Sequence, residues 1–381
     1  MKLHGLVIFN FLMLLGFTTQ EKLYFSVVLV YTGTVSPKHP IPSGDWKDWD
    51  EKGPDELTAM GMREQYLLGY ELRRRYNNSL NESHFLDQVY VRMVDHNCAI
   101  MSGQAFLRGF LRDNKAVLND EQLEKANPPV TIEDYFKNQI GKLVLPSGVG
   151  TLPFHTFYPH TDDVLDSCYC KTAHKKNMEA FDKDEKVKAI IKQNNWFEEF
   201  GKRYKSSDIK FPEDVDLLEA IQSAIHQFKE TKVSEHDKER VKNFTNHLYF
   251  YARAIDNDAV EHQTSEAFSF LKTFIEETIK TNVKNLARKE NRQLAFLFIE
   301  DIMMVNIMKR LNITLNHRLP AASILTFNVT GTNEKDLKVH VRLNDEKDIQ
   351  ETDYGDFLKK LENFIITDKE DIKRYCNRTS V

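Results

Sequence analysis

The chain has no large excess of charge of either sign. Its 381 residues carry 52 Lys and Arg against 57 Asp and Glu, a net charge of −5. A protein that grips nucleic acid by neutralising phosphates needs a basic surplus, so no nucleic-acid partner is expected. Cysteine is scarce as well. Four residues do not make a disulfide scaffold, and a chain of this length buries enough surface to fold without one. No apolar run approaches the ~20 residues that span a bilayer. Internal repeats and low-complexity tracts are also missing. What is present is 41% hydrophobic and 29% charged sequence, too apolar for a disordered chain and long enough for one large or two modest domains.

The N-terminus points to a compartment. Lys2 precedes the apolar stretch Leu6 to Phe17 (LVIFNFLMLLGF), followed by Thr18, Thr19 and Gln20. A short basic end and about a dozen apolar residues read as a secretory signal peptide, with cleavage expected near residues 18–21. The expected organisation is therefore a signal peptide over 1–20 and a mature domain over 21–381, with no transmembrane span once the signal is removed. Asn-x-Ser/Thr acceptors begin at Asn77, Asn81, Asn243, Asn312, Asn328 and Asn377, which suits a glycosylated chain of the secretory pathway, extracellular or lysosomal. In an oxidising compartment one member of the Cys168–x–Cys170 pair would bridge to Cys376, with Cys98 left odd or joined to the remaining thiol.

The second apolar run, Leu23 to Tyr31 (LYFSVVLVY), is rich in β-branched residues and ends near Gly33, so it predicts a buried central strand. A loop rich in Pro, Gly and Trp follows over 37–54, with Trp46 and Trp49 available either for recognition or for packing on the sheet edge. Residues 56–76 predict a helix, 89–93 a strand, 101–110 a helix and 149–157 a strand. From about 160 to 285 the sequence turns charged and helix-favouring, with helices expected over 186–204, 213–230, 234–256 and 265–288. A strand is expected over 292–298, a helix over 303–311 and β-rich stretches over 321–330 and 337–343. Strand–helix alternation with an inserted helical block predicts an α/β fold: a mostly parallel sheet flanked by helices, with an α-helical cap over roughly 160–285. In such folds ligands bind beyond the carboxyl ends of the strands. Chemistry is therefore expected just after residues 31, 94 and 298.

At those places stand Tyr31-Thr32-Gly33-Thr34-Val35-Ser36-Pro37, then Asp95-His96-Asn97-Cys98, then Glu300-Asp301. With Leu57-Thr58-Ala59-Met60-Gly61-Met62-Arg63-Glu64-Gln65-Tyr66, Val89-Tyr90-Val91-Arg92, Met101-Ser102-Gly103-Gln104-Ala105, Leu152-Pro153-Phe154-His155-Thr156 and Pro320-Ala321-Ala322-Ser323, the chain resembles the histidine acid phosphatases, branch two of the histidine phosphatase superfamily. The resemblance runs from about residue 23 to 376. It implies a phosphoglycerate-mutase-like fold, phosphomonoester hydrolysis without a cofactor, and a possible homodimer.

The motif is degenerate where the resemblance places the chemistry. The family pattern R-H-G-x-R-x-P, counted back from Pro37, puts Tyr31 and Val35 in place of arginines and Thr32 in place of the nucleophilic histidine. A third phosphate-binding arginine falls on Cys98, and the His-Asp pair falls on Glu300 and Asp301. Only the acid, Asp301, is retained, with Gly33 and Pro37 of the frame. Phosphoryl transfer needs an attacking imidazole, cations for the dianion and an acid for the leaving oxygen. Two adjacent carboxylates would instead give the pocket a negative field. The expectation is a catalytically inactive pseudophosphatase that holds a protein partner or a small ligand in the old cleft; the alternative is an acid phosphatase with a rebuilt site. His96, Cys98, Glu300 and Asp301 could meet as metal ligands, but no HxxxH or CxxC spacing supports a metal, and none is expected. Arg92 and His155 are expected to be structural. Asp301 is expected as the N-cap of the helix after it, Cys98 as a small apolar filler, and Lys171 to Lys176 as a solvated loop.

Overall fold

The computed structural model describes residues 21–36, 53–80, 85–111, 117–126, 128–130, 133–145, 150–158, 161–194, 196–204, 233–283, 292–315, 317–344 and 348–377. The expected signal peptide, Pro37, Trp46, Trp49, Asn81 and the helix expected over 213–230 lie outside the described residues.

Six strands form one sheet: β1 (Lys22–Tyr31), β2 (Val89–Met93), β3 (Leu294–Ile299), β4 (Ile324–Gly331), β5 (Leu337–Leu343) and β6 (Gln350–Asp353), in the order β2-β3-β1-β4-β5-β6. The three strands that end at the expected site, β2, β3 and β1, run parallel. The rest of the sheet is antiparallel, so the sheet is mixed. The reason is connection length. Only Thr332–Asp336 separates β4 from β5, and so short a link can only join antiparallel neighbours.

The apolar run of β1 is continuous because both faces of the sheet are covered. Phe25, Val27, Leu29 and Tyr31 enter one apolar cluster with Ala295, Leu297 and Ile299 of β3. Val28 and Val30 enter the other with Val91, Met93, Phe296 and Phe298. Helices α1 (Ala59–Tyr76) and α2 (Asn97–Phe110) cover the second face, with Leu72, Tyr76, Phe106 and Phe110 inside. They meet backbone to backbone: a Cβ on Gly69 would lie 2.1 Å from the Phe106 carbonyl oxygen, and one on Gly109 would lie 2.0 Å from that of Tyr66. Small residues thus make the crossing. Leu67 of α1 is 49% exposed.

The charged central stretch is helical, with α3 (Lys171–Lys183), two short helices over Glu185–Gln193 and Phe197–Tyr204, α4 (Glu235–Ala254) and α5 (Asn257–Val283). Lys171 to Lys176 open α3 instead of forming a loop, and Lys176 lies 4.2 Å over the Tyr375 ring. Phe268, Leu271, Phe274 and Ile275 of α5 cover the first face of the sheet. They are joined by α6 (Asp301–Arg310) and α7 (Tyr354–Glu362). The stretch expected as a strand over 149–157 makes a single parallel bridge, Arg92 to His155. Several elements went unforeseen, among them α3, α7, β6 and the C-terminal helix α8 (Lys369–Tyr375). No helix among the described residues is long and apolar enough to cross a membrane.

Candidate functional site

Register brings the three expected segments to one edge. Tyr31 pairs with Ile299 and Met93 with Phe298, so Thr32, Glu300 and the 94–97 turn emerge side by side. The loop after β1 is held from every direction. The Thr32 carbonyl accepts the Ala322 N–H at 2.8 Å, and Tyr31 N–H donates to the Ser323 carbonyl at 2.9 Å. Gly33 N–H donates to Ser102 Oγ at 3.1 Å. Thr34 N–H donates to Glu64 at 2.8 Å, and its hydroxyl donates to the same carboxylate. Gln65 donates to the Tyr31 carbonyl at 2.8 Å. A Cβ on Gly33 would lie 2.4 Å from the Gly61 carbonyl oxygen, so this contact between loop and α1 admits no side chain. The Tyr31 ring lies in the apolar cluster with Val94 and Ala99. Val35 bridges to Leu57, and Cys98, in the first turn of α2, is buried.

The two carboxylates go to different partners. Glu300 is the N-cap of α6 but makes no side-chain cap bond. Its Oε1 lies 2.5 Å from His96 Nδ1, and its Oε2 accepts the Ser167 hydroxyl at 2.7 Å. Burial opposes ionisation of Glu300, but the His96 hydrogen bond and charge, with the Ser167 hydroxyl, outweigh it and leave its pKa below the usual value. The same hydrogen bond raises the pKa of His96 against the cost of burial. Asp301 is the first helical residue and not the N-cap expected from sequence. Its Oδ2 accepts Arg253 Nε from α4 at 2.6 Å, with side chains 18% and 10% exposed. An unpaired negative field is therefore not what folding produces: each carboxylate faces a group that is or can become a cation. Arg92 is structural, bonded to the buried Asp162 at 2.6 Å and lying 4.0 Å from the Phe157 ring. His155 stacks on Tyr90.

Comparison with known proteins gives the family. The model of the histidine phosphatase superfamily (branch 2) matches residues 8–320. The chain belongs to that superfamily. Among curated members, the lysosomal acid phosphatase of Xenopus laevis is 42% identical over 86 residues, 22% of this chain and 20% of that protein. The Homo sapiens lysosomal enzyme is 34% identical over 99 residues, 26% and 23% of the two chains, and the Bos taurus prostatic acid phosphatase is 35% identical over 94 residues, 24% of each. The chain thus matches a fifth to a quarter of the length of these relatives. Among solved structures, a Hafnia alvei phytase in complex with tartrate superposes with a TM-score of 0.61 at 15% identity, covering 93% of this chain and 98% of that one. That likeness is one of fold.

This histidine phosphatase superfamily member brings Thr32, Glu300 and Asp301 to adjacent strand ends, while Tyr31 and Cys98 are buried in the apolar interior. Sequence reading missed Arg253, Ser167 and Glu64, whose contacts are long-range; it had weighed a meeting of His96 with Glu300 as metal ligands and not as the hydrogen-bonded pair they form. Nothing in the spacing of Arg253 and Asp301, 48 residues apart, announces their pairing. Of the two candidate cysteines, Cys170 bridges to Cys376 across 206 residues, while Cys168 is exposed. Asn77, Asn243, Asn312 and Asn377 are exposed. Asn328 lies within β4, and its Oδ1 accepts the Ser26 hydroxyl at 2.7 Å.

Proposed function

We propose that the chain is a pseudophosphatase: a non-catalytic member of its superfamily that acts as a binding or structural protein, with a protein partner or small ligand in the cleft. Thr32 carries this reading. It stands where the resemblance puts an attacking imidazole. A threonine hydroxyl becomes a nucleophile only beside a base, and among the described residues no base is hydrogen-bonded to it. Each guanidinium missing at residues 31, 35 and 98 would attract a unit anionic charge ~5 Å away by about 3 kcal/mol at an effective dielectric near 20. Three such losses remove several decades of phosphate affinity.

The test is hydrolysis of p-nitrophenyl phosphate by concentrated, chelator-treated protein between about pH 4 and 6, the range between carboxylate and imidazole titration, beside a vanadate titration. No turnover and no saturation are expected. Turnover that disappears in both Thr32→Ala and Asp301→Ala would overturn the proposal. A second reading, an acid phosphatase with a rebuilt site, is favoured by one observation: α4 delivers the Arg253 guanidinium to Asp301. Turnover abolished by Arg253→Ala would support it.

The proposal includes passage through the secretory pathway, to the lysosome or the exterior. The signal-like N-terminus, the acceptor sequons, the Cys170–Cys376 bridge and the lysosomal and prostatic relatives support that placement. N-terminal sequencing and a glycosidase mobility shift test it, and sedimentation tests the homodimer that the resemblance implies.

A further inference from the structure

Three segments far apart in sequence meet beside the ends of β2 and β3. They are the turn before α2 with His96, the 3-10 turn Ser167–Tyr169 with Asp166 before it, and the β3–α6 junction with Glu300. One carboxylate oxygen of Asp166, Sγ of Cys168 and one carboxylate oxygen of Glu300 lie within 4.8 Å of one another. We propose that Asp166, Cys168 and Glu300 bind a divalent cation of the zinc class, leaving a coordination position for water or an anionic ligand.

The donor set selects the ion. Calcium and magnesium take oxygen shells and reject sulfur, whereas zinc accepts thiolate and carboxylate together, and three protein ligands with one open position are a common zinc arrangement. The donors are also oriented in advance. Asp166 accepts the Cys168 backbone N–H at 2.7 Å. His96 fixes one oxygen of Glu300 and Ser167 the other. Each carboxylate oxygen has two lone pairs, so metal coordination leaves these hydrogen bonds in place, and such outer partners strengthen metal sites. Asp166 is 1% exposed. Cys168 is exposed and gives an ion access. On binding, the Cys168 S–H bond breaks, its proton leaves to solvent, and the sulfur lone pair forms the metal bond. The site then holds three anionic ligands against two positive charges.

A second cluster, His340, Asp348 and Glu351, has donors equally close. There Arg342 occupies Asp348 and Lys338 occupies Glu351, so a metal ion would meet two cations. It serves as the internal control.

The site is independent of the pseudophosphatase reading: turnover in chelated protein would refute that reading and leave the cation site standing. The test uses the full chain with its disulfide intact, titrated calorimetrically with zinc chloride and optically with cobalt(II), whose thiolate charge-transfer absorption reports a metal–sulfur bond. One ion per chain with that absorption is expected. Cys168→Ser should abolish the band and weaken zinc at least ~10-fold, and His96→Gln should weaken it about 10-fold through Glu300. Asp166→Asn and Glu300→Gln should weaken zinc as Cys168→Ser does, and Glu351→Gln should change nothing. The proposal is overturned by the absence of saturable binding, by binding that Cys168→Ser leaves intact, or by an equal loss in Glu351→Gln. The exposed Cys168 keeps the test decisive if a buried variant fails to fold.

Discussion

The Arg253–Asp301 pair ties the helical segment to the sheet-bearing part of the chain, and its strength can be worked out. The guanidinium Nε and carboxylate Oδ2 are 2.6 Å apart, and the side chains are 10% and 18% exposed. Unit charges ~4 Å apart attract by about 4 kcal/mol at an effective dielectric near 20. Desolvation and side-chain ordering offset part of that. Hydrogen bonds to charged groups retain a net ~1.5–3 kcal/mol. A double-mutant cycle of Arg253→Gln, Asp301→Asn and the double variant should therefore return a coupling of about 2 kcal/mol, above the ~1 kcal/mol ceiling of exposed pairs. The cycle returns the term of this pair where each single substitution removes the contact and forms no new one. Urea unfolding near neutral pH measures it. Raising the salt should change it little, because partly buried pairs are weakly screened. A coupling below about 0.5 kcal/mol, the level of a surface pair, would refute both the energetic estimate and the conclusion that Asp301 is committed to Arg253.

Three further outcomes follow from other contacts. The His96–Glu300 contact should stabilise the fold most in mild acid. His96 has a raised pKa, so its contribution is complete below the ordinary 6.5 and is lost as pH rises through the folded value. Glu300 has a lowered pKa, so its contribution is complete above the ordinary 4.5 and is lost as pH falls through the folded value. The stability difference between wild type and His96→Gln should peak between those two ordinary values and shrink toward alkaline pH; a flat difference across the range would exclude the pair. Replacing both Cys170 and Cys376 by serine frees a loop with a sequence separation of 206 and should cost up to about 5 kcal/mol on a chain-entropy basis, read by urea unfolding without reductant; an unchanged midpoint would refute it. Gly33→Ala should lower the melting temperature sharply, because the added carbon meets the Gly61 carbonyl oxygen at 2.4 Å, and a neutral result would mean that the loop relaxes away from α1.

Much of the fold was legible because local chemistry dictated it. The run ending at Tyr31 had to be a doubly covered strand, and Val89–Met93 and Leu337–Leu343 formed where β-branched residues alternate or cluster. Helix α1 formed where Thr58 caps it and basic residues close it. The crossing of α1 on α2 was not legible. Gly69 and Gly109 are marked by the absence of a side chain, and only their mutual approach gives that absence meaning.

The site divided in the same way. The sequence alone determined which chemical groups stand after each strand: a threonine and no histidine at 32, no arginine at 31, 35 or 98, and a Glu-Asp pair at 300–301. Only the tertiary structure decided what those groups do. It turned Tyr31 into the interior, gave Asp301 to Arg253 and Glu300 to His96, chose Cys170 over Cys168 for the bridge, and set Cys168 beside two carboxylates. Residue identity fixes donors and charges, but their energies depend on which partner lies within a few ångströms. That distance is set by how segments tens to hundreds of residues apart pack together.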